Sequence, residues 1–300
     1  MSFSLKFTKL KARLYFPSYR LPYWLGNKFR GGFGSVLVRA ICGYIKPRCQ
    51  ACRSSDDCLY YVIYEKERQR RGKSQPPRPI VFIPPFFGQS LSGRGEIEVE
   101  IGIFGNYYTF LPHVIYGLKF LGKIGLNADS RYEIVSIRDC FSGKEIYDGE
   151  SVSAENMKTI DLGEVRGRDL KEFKVKFLTP IEASPPLKLE ELLRMIRRRL
   201  ILYVNEYGSG DVPDCNCRAE ILESDWKKHE LLHYSRRKGW RKFRAITGYA
   251  KYRLEEADEN ALKLLSIGEL IGAGAKASFG MGFFKIEAGE KLENPLNVRT

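Results

Sequence analysis

Along the 300 residues, apolar positions switch between a period of two and a period near 3.6, and the switches occur twice in the same order. Leu5, Phe7 and Leu10, running into ARLYF, read as an opening strand over residues 5–16. Phe33, Val36, Leu37 and Ala40 then recur at helical spacing within YWLGNKFRGGFGSVLVRAICGYI. The buried run IVFIP and the alternating EIEVEIGIF are two further strands. LPHVIYGLKFLGKIG is a helix stopped by Gly122 and Gly125, and RYEIVSIRD a strand. A charged, loop-like stretch near 141–168 follows, and the order begins again. KEFKVKFLTPI alternates as a strand, and KLEELLRMIRRRLILYVNEYG is a long amphipathic helix ending on Gly208. HELLHYSRRKGWRKFRAITGYAKYRLE gives two strands joined near Lys238 to Trp240. NALKLLSIGELIG is a short helix and MGFFKIE a closing strand.

Each half therefore predicts strand–helix–strand–strand–helix–strand, the ferredoxin-like (RRM-like) βαββαβ order, with helices on one face of a sheet. The expected fold class is α+β, two tandem ferredoxin-like domains at residues 1–145 and 168–300. The first carries a cysteine-rich insertion at about 42–58 and a basic, proline-bearing loop at about 65–79. No residue-level repeat accompanies the repeated order.

Composition narrows the class. Apolar and aromatic content is that of a globular chain. No run of about 18 uncharged apolar residues is present, which argues against a membrane span. The N-terminus, MSFSLKFTKLKARLYFP, lacks a signal-peptide core, so a cytoplasmic protein is expected. Lysine and arginine number 50 against 36 acids, a formal charge of +14. Such an excess suits a polyanionic partner, nucleic acid before an anionic membrane surface; the alternative is solubility alone.

Seven cysteines are present, and four fall in Cys42-x6-Cys49-x2-Cys52-x5-Cys58. Four close thiols in an intracellular chain suit structural zinc or an iron–sulfur cluster, although Cys42 also fits as an apolar residue inside the first helix. Cys215 and Cys217 read as an unligated loop.

Near the end stands GAGAKASFGMGFF, Gly272 to Phe284. It is no P-loop, because Lys276 lies between two alanines. It is no dinucleotide fingerprint either, since a helix precedes it and a strand follows. What remains is G-h-G-x5-G-h-G: Gly272, Gly274, Lys276, Ser278, Gly280 and Gly282. Glycines let amides approach phosphate oxygens, and a lysine adds a point charge. The alternative is a turn packed tightly on the sheet, with Phe279, Phe283 and Phe284 in the core and Lys276 solvated. Upstream, RRKGWRKFR sets Arg236, Arg237, Lys238, Arg241, Lys242 and Arg244 around Trp240, charge for a backbone and a ring for an unpaired base. A solvated turn with the indole tucked down is its alternative. In the long helix Arg194, Arg197, Arg198 and Arg199 cover more than one face.

The glycine loop before the last strand, together with the doubled order, resembles the RAMP superfamily of CRISPR-associated RNA-binding proteins. More narrowly it is similar to their repeat-processing endoribonuclease, the Cas-six family. FRGGFGSVLVRAICG with the following C-x2-C resembles the first helix and cysteine loop of one branch, and FLTPI and HYSRRKGWRKFRAITGYAKY resemble landmarks of the second domain. The resemblance implies metal-independent cleavage within CRISPR repeat RNA by 2′-hydroxyl attack, leaving a 2′,3′-cyclic phosphate. It implies repeat RNA and other CRISPR-associated proteins as partners. Many members carry a catalytic histidine in or near the first helix; this chain has none between Tyr19 and Cys58 and offers Tyr19, Tyr23, Lys28 and Arg30 there. The candidates for catalysis are His233, Lys28, Tyr23 and His113, while His229 reads as simply exposed. A RAMP subunit that holds guide RNA without cutting is the alternative function.

Overall fold

The computed structural model describes residues 3–42, 49–54, 58–66, 76–235 and 239–288. The chain divides into two compact units, one of Lys6–Ile160 and one of Met1–Leu5 with Asp161–Thr300. The opening β1 (Phe3–Ser4) thus belongs to the second unit, where it pairs with β9 described below.

The first unit runs β2 (Lys6–Leu21), α1 (Gly26–Cys42), β3 (Ile80–Ile83), β4 (Leu91–Phe104), α2 (Leu111–Ile124), β5 (Glu133–Asp139) and β6 (Glu145–Tyr147). Its sheet has the order β3-β4-β2-β5-β6, all neighbours antiparallel. Period-two alternation sends Leu10, Ala12, Leu14 and Phe16 into the core. The intervening Lys9, Lys11 and Arg13 meet Glu100, Glu98 and Glu96 at 2.7, 3.2 and 2.8 Å, so the outward charges of this sheet are largely paired off. Phe29, Phe33, Val36 and Leu37 of α1 seal the other face. The helices come close enough that a Cβ on Gly117 would lie 2.5 Å from the Phe33 ring.

After β7 (Ile160–Asp161), the second unit runs β8 (Glu172–Ile181), α3 (Leu189–Tyr207), β9 (Ser209–Gly210), β10 (Cys217–Ser235), β11 (Gly239–Ala257), α4 (Glu259–Ile271) and β12 (Phe284–Ala288). Its sheet order, β10-β11-β8-β12, is the same permutation as β3-β4-β2-β5 in the first unit. Phe173, Val175 and Phe177 of β8 and Leu192, Leu193, Ile196 and Leu200 of α3 are all buried in the core of this unit. Asp258 caps α4 by accepting from the Ala261 amide at 2.7 Å, worth about 1 kcal/mol. The fold is α+β with tandem ferredoxin-like domains, as the repeated order predicts.

Element bounds depart from the pattern in instructive places. β10 starts at Cys217, well before the alternation read from His229, so Cys217 is strand and not loop. It is the edge of its sheet, and CRAEILESDWKK carries the charges that keep an exposed edge from pairing with another chain; alternation is confined to Cys217, Ala219 and Ile221 and is broken by the register shift between Ile221 and Glu223. Gly122 is buried inside α2, which ends instead at Gly125 with φ of 93°. The stretch near 141–168 holds short strands as well as turns.

Candidate nucleic-acid interface

The loop between α4 and β12 is a backbone clasp. Gly272, Gly274, Gly280 and Gly282 all have positive φ, at 74, 80, 69 and 82°. The two sides close through the Ala273 amide on the Gly282 carbonyl at 2.8 Å, so tightly that a Cβ at Gly282 would stand 2.0 Å from the Ala273 oxygen. The amides of Gly272, Gly280 and Gly282 donate to the carbonyls of Gly268, Ala277 and Pro180 at 2.7, 2.7 and 2.8 Å. This corrects one expectation: these three glycines shape the loop, and their N–H groups are not open to a phosphate. Among the described residues, no acceptor takes the amides of Gly274, Ala275, Lys276, Ala277 or Ser278. Ala275 is exposed, while Gly274, Lys276 and Ser278 are half-buried. The loop thus combines both explanations, tight packing at its ends and open amides at its crest.

The crest docks on the long hairpin of β10 and β11. Lys276 Nζ lies 4.8 Å from the centroid of Phe243. Phe279 meets Phe243 at 5.7 Å and His233 at 5.0 Å, and His233 stacks on Phe243 at 6.0 Å. The structure therefore brings His233 to the glycine loop, as a buried ring only 8% exposed. Strand register puts His233 opposite Arg241 and Leu231 opposite Phe243, one face of the hairpin. The other face carries Leu232 opposite Lys242 and Glu230 opposite Arg244. There Trp240 is 73% and Leu232 55% exposed, which excludes a tucked indole. Arg241, Lys242 and Arg244 are exposed, and Lys242 pairs with Glu230 at 2.5 Å. Arg236, Arg237 and Lys238 lie outside the described residues.

The arginines of α3 separate by role. Arg194 and Arg198 are exposed. Arg197 holds the carbonyls of Pro213 and Val212 at 2.8 and 3.2 Å and pairs with Asp214 at 2.9 Å. Arg199 is buried beneath the glycine loop.

Two features escaped the sequence pattern. Lys174, Lys176, Lys251 and Lys285 share the outward face of β8, β11 and β12 with Tyr249, and the Lys174 ammonium sits 4.4 Å from that ring's centroid. The alternation of KEFKVKF signals this row, since every second residue is lysine or glutamate. Glu182, just past β8, is half-buried beside Lys276; burial raises its pKa and the lysine draws it back. No sequence signal marks it.

The remaining catalytic candidates lie in the other unit. Tyr23 is half-buried ahead of α1, Lys28 is exposed in that helix's first turn, and His113 is exposed at the start of α2 with its ring 5.6 Å from Phe110. His229 is not simply exposed: it is half-buried, with Nε2 2.6 Å from the Thr247 hydroxyl across the hairpin. Burial first, and Lys227 second, hold its pKa below the ordinary value. The unfolded chain then binds this proton more readily, so His229 contributes stability that declines as pH falls through about 6.5. His229→Gln is expected to flatten the acid-side fall of Tm between about pH 7 and 5; an unaltered slope would remove the histidine from the account.

Cys42 closes α1, Cys49 sits in a short 3-10 turn, and Cys52 donates its amide to Cys49 at 3.2 Å. Cys49 packs with Tyr61 and Val62, and Cys58 lies against them. Burial pushes the Cys49 thiol up to about 11, with Glu65 and the other three cysteines adding to it. Among the described residues no group of three His, Cys, Asp or Glu side chains is arranged to hold a metal ion. No helix among the described residues is long and apolar enough to cross a membrane.

Comparison with known proteins fixes the family. The AF_1859 N-terminal domain matches residues 5–159 and the AF_1859 C-terminal domain residues 173–286. The chain belongs to the AF_1859 family. An uncharacterized protein of Archaeoglobus fulgidus is 63% identical over 289 residues, 96% of this chain and 100% of that protein. Among solved structures, a Cas6 product complex aligns over 93% of this chain and 99% of its own, with TM-score 0.56 and 17% identity. A Thermus thermophilus Cas6 aligns over 94% and 98%, with TM-score 0.54 and 14% identity. A partial Cas6-RT-Cas1–Cas2 complex aligns over 98% of this chain and 48% of its own, with TM-score 0.53 and 13% identity. At these identities the likeness is one of fold: the chain has the fold of Cas6.

Proposed function

We propose that this protein is a CRISPR precursor-RNA endoribonuclease that grips repeat RNA on the glycine-loop crest and the basic hairpin. The observation that carries it is the crest itself, open amides and Lys276 seated on an aromatic hairpin that exposes Trp240, within a Cas6 fold. Amides and lysine suit the ribose–phosphate chain, and the exposed indole suits an unstacked base.

The proposed reaction is intramolecular. The 2′-oxygen forms a bond to the adjacent phosphorus while the P–O5′ bond breaks, leaving a 2′,3′-cyclic phosphate and a 5′-hydroxyl. One proton leaves the 2′-hydroxyl and one reaches the departing oxygen, with cations steadying the phosphorane. No cofactor is required. Of the candidates, Lys28 and His113 are exposed, Tyr23 is half-buried, and His233 is buried against Phe279. Lysine is a poor base near neutral pH, so cleavage relying on Lys28 and Tyr23 is expected to be slow.

The burial of His233, with no histidine in α1, favours a second function, a RAMP subunit that holds guide RNA without cutting. Incubation with repeat RNA in EDTA separates the two. Fragments ending in a cyclic phosphate, abolished by a 2′-deoxy residue upstream of the cut, support the nuclease. Binding without cleavage supports the subunit, and neither binding nor cleavage defeats both.

A further inference from the structure

Arg199 lies on the buried stripe of α3 and turns its whole guanidinium into the glycine loop. Nε donates to the Gly274 carbonyl at 2.7 Å, and the two terminal nitrogens to Ile271 at 2.6 Å and Met281 at 3.1 Å. The group sits 5.5 Å from the Phe283 ring centroid and the residue is 3% exposed. All three acceptors are neutral, and among the described residues no carboxylate pairs with it. Burial holds its pKa down at about 10. Carbonyls solvate a buried cation without cancelling its charge, and charged side chains are seldom buried unless paired.

The contact also sets the direction of the loop. In a trans peptide the carbonyl and the following N–H point to opposite sides. With the Gly274 oxygen held on Arg199, the Ala275 N–H is aimed away from it, at an exposed position. The amides of Lys276 and Ser278, on half-buried residues and with no acceptor among the described residues, follow in the chain, while Ala277 is buried. A full positive charge therefore lies on the inner side of the Gly274–Ala275 peptide, whose N–H faces away from it at an exposed residue.

Building on the RNA-binding function proposed above, we infer that Arg199 is the positioning residue of an anion site at Gly274–Ser278, and that a phosphate bound there is the counter-ion its guanidinium lacks. Arg199 orients the amides and supplies charge through the loop; it does not touch the strand.

The test compares the wild type with Arg199→Lys and Arg199→Gln on two probes, inorganic tripolyphosphate and a labelled single-stranded repeat RNA. Lysine keeps the charge and loses the fork; glutamine loses both. Wild type should gain Tm with tripolyphosphate, R199K should gain most of that, and R199Q little. For RNA, the slope of log K against log salt should fall by about 0.7 in R199Q and recover in R199K. Both variants will be less stable, so circular dichroism confirms that each is folded at the temperature of measurement. Equal slopes and equal Tm gains in R199K and R199Q would overturn the inference, because a purely structural arginine predicts that result. An Arg199-dependent tripolyphosphate effect without RNA binding would sink the RNA function and leave the anion site standing. RNA binding whose slope ignores R199Q would do the reverse.

Discussion

Gly282→Ala is expected to lower the stability of the second unit by about 2–3 kcal/mol and to abolish strong RNA binding with it. Two terms combine. The residue sits at φ of 82°, where a side chain strains the backbone by about 1–2 kcal/mol. Its new Cβ would stand 2.0 Å from the Ala273 oxygen, which forces open the clasp between Ala273 and Gly282 and sacrifices about 1 kcal/mol of hydrogen bonding. Gly274→Ala is the control. It shares the positive φ of 80°, but its nearest contact is the flexible Met195 methyl at 3.2 Å, so only the backbone strain remains. Urea denaturation of the two variants should show midpoints clearly apart, G282A the lower. Coincident midpoints would mean that the clasp contributes nothing and that the loop is held elsewhere.

Trp240→Ala should act in the opposite register, with a large effect on binding and almost none on folding. The indole is 73% exposed, so truncation opens no cavity and stability should stay within about 0.5 kcal/mol. A stacked base is worth about 1–3 kcal/mol, so affinity for single-stranded repeat RNA should fall about 5- to 150-fold. Trp240→Phe should keep most of it, and duplex RNA, whose bases are already stacked, should be nearly indifferent. An unchanged Kd for the single strand would take the hairpin out of the interface. A matching loss of stability would show that the ring packs in solution more than its exposure indicates.

The doubled element order was legible because each unit buries its own core, and each core writes its period into its own strands and helices. The basic hairpin was legible for the same reason, since charge and aromatics at a strand turn have few alternatives. The start of β10 was not, because on this edge strand the alternation of Cys217, Ala219 and Ile221 is short, breaks at a register shift, and gives way to the charged ESDWKK. The arginine run was half legible. The spacing put the four arginines on more than one face of α3 without separating them, and the structure sets Arg199 in step with Leu192, Ile196 and Tyr203 on the buried stripe. Its partners, three carbonyls of a loop far along the chain, leave no mark in the helix pattern.

What the chain determined by itself is the inventory: two ferredoxin-like units, an excess of positive charge, and four glycines around one lysine where the last strand begins. What tertiary structure decided is which amides of that loop remain open. Arg199 lies 72 to 82 residues from the three carbonyls it holds. The peptide that turns the Gly274 oxygen inward must turn the Ala275 N–H the other way, while the amides after the other two held carbonyls, Gly272 and Gly282, are taken by Gly268 and Pro180, so contacts that distant decide which amide is left to meet a phosphate.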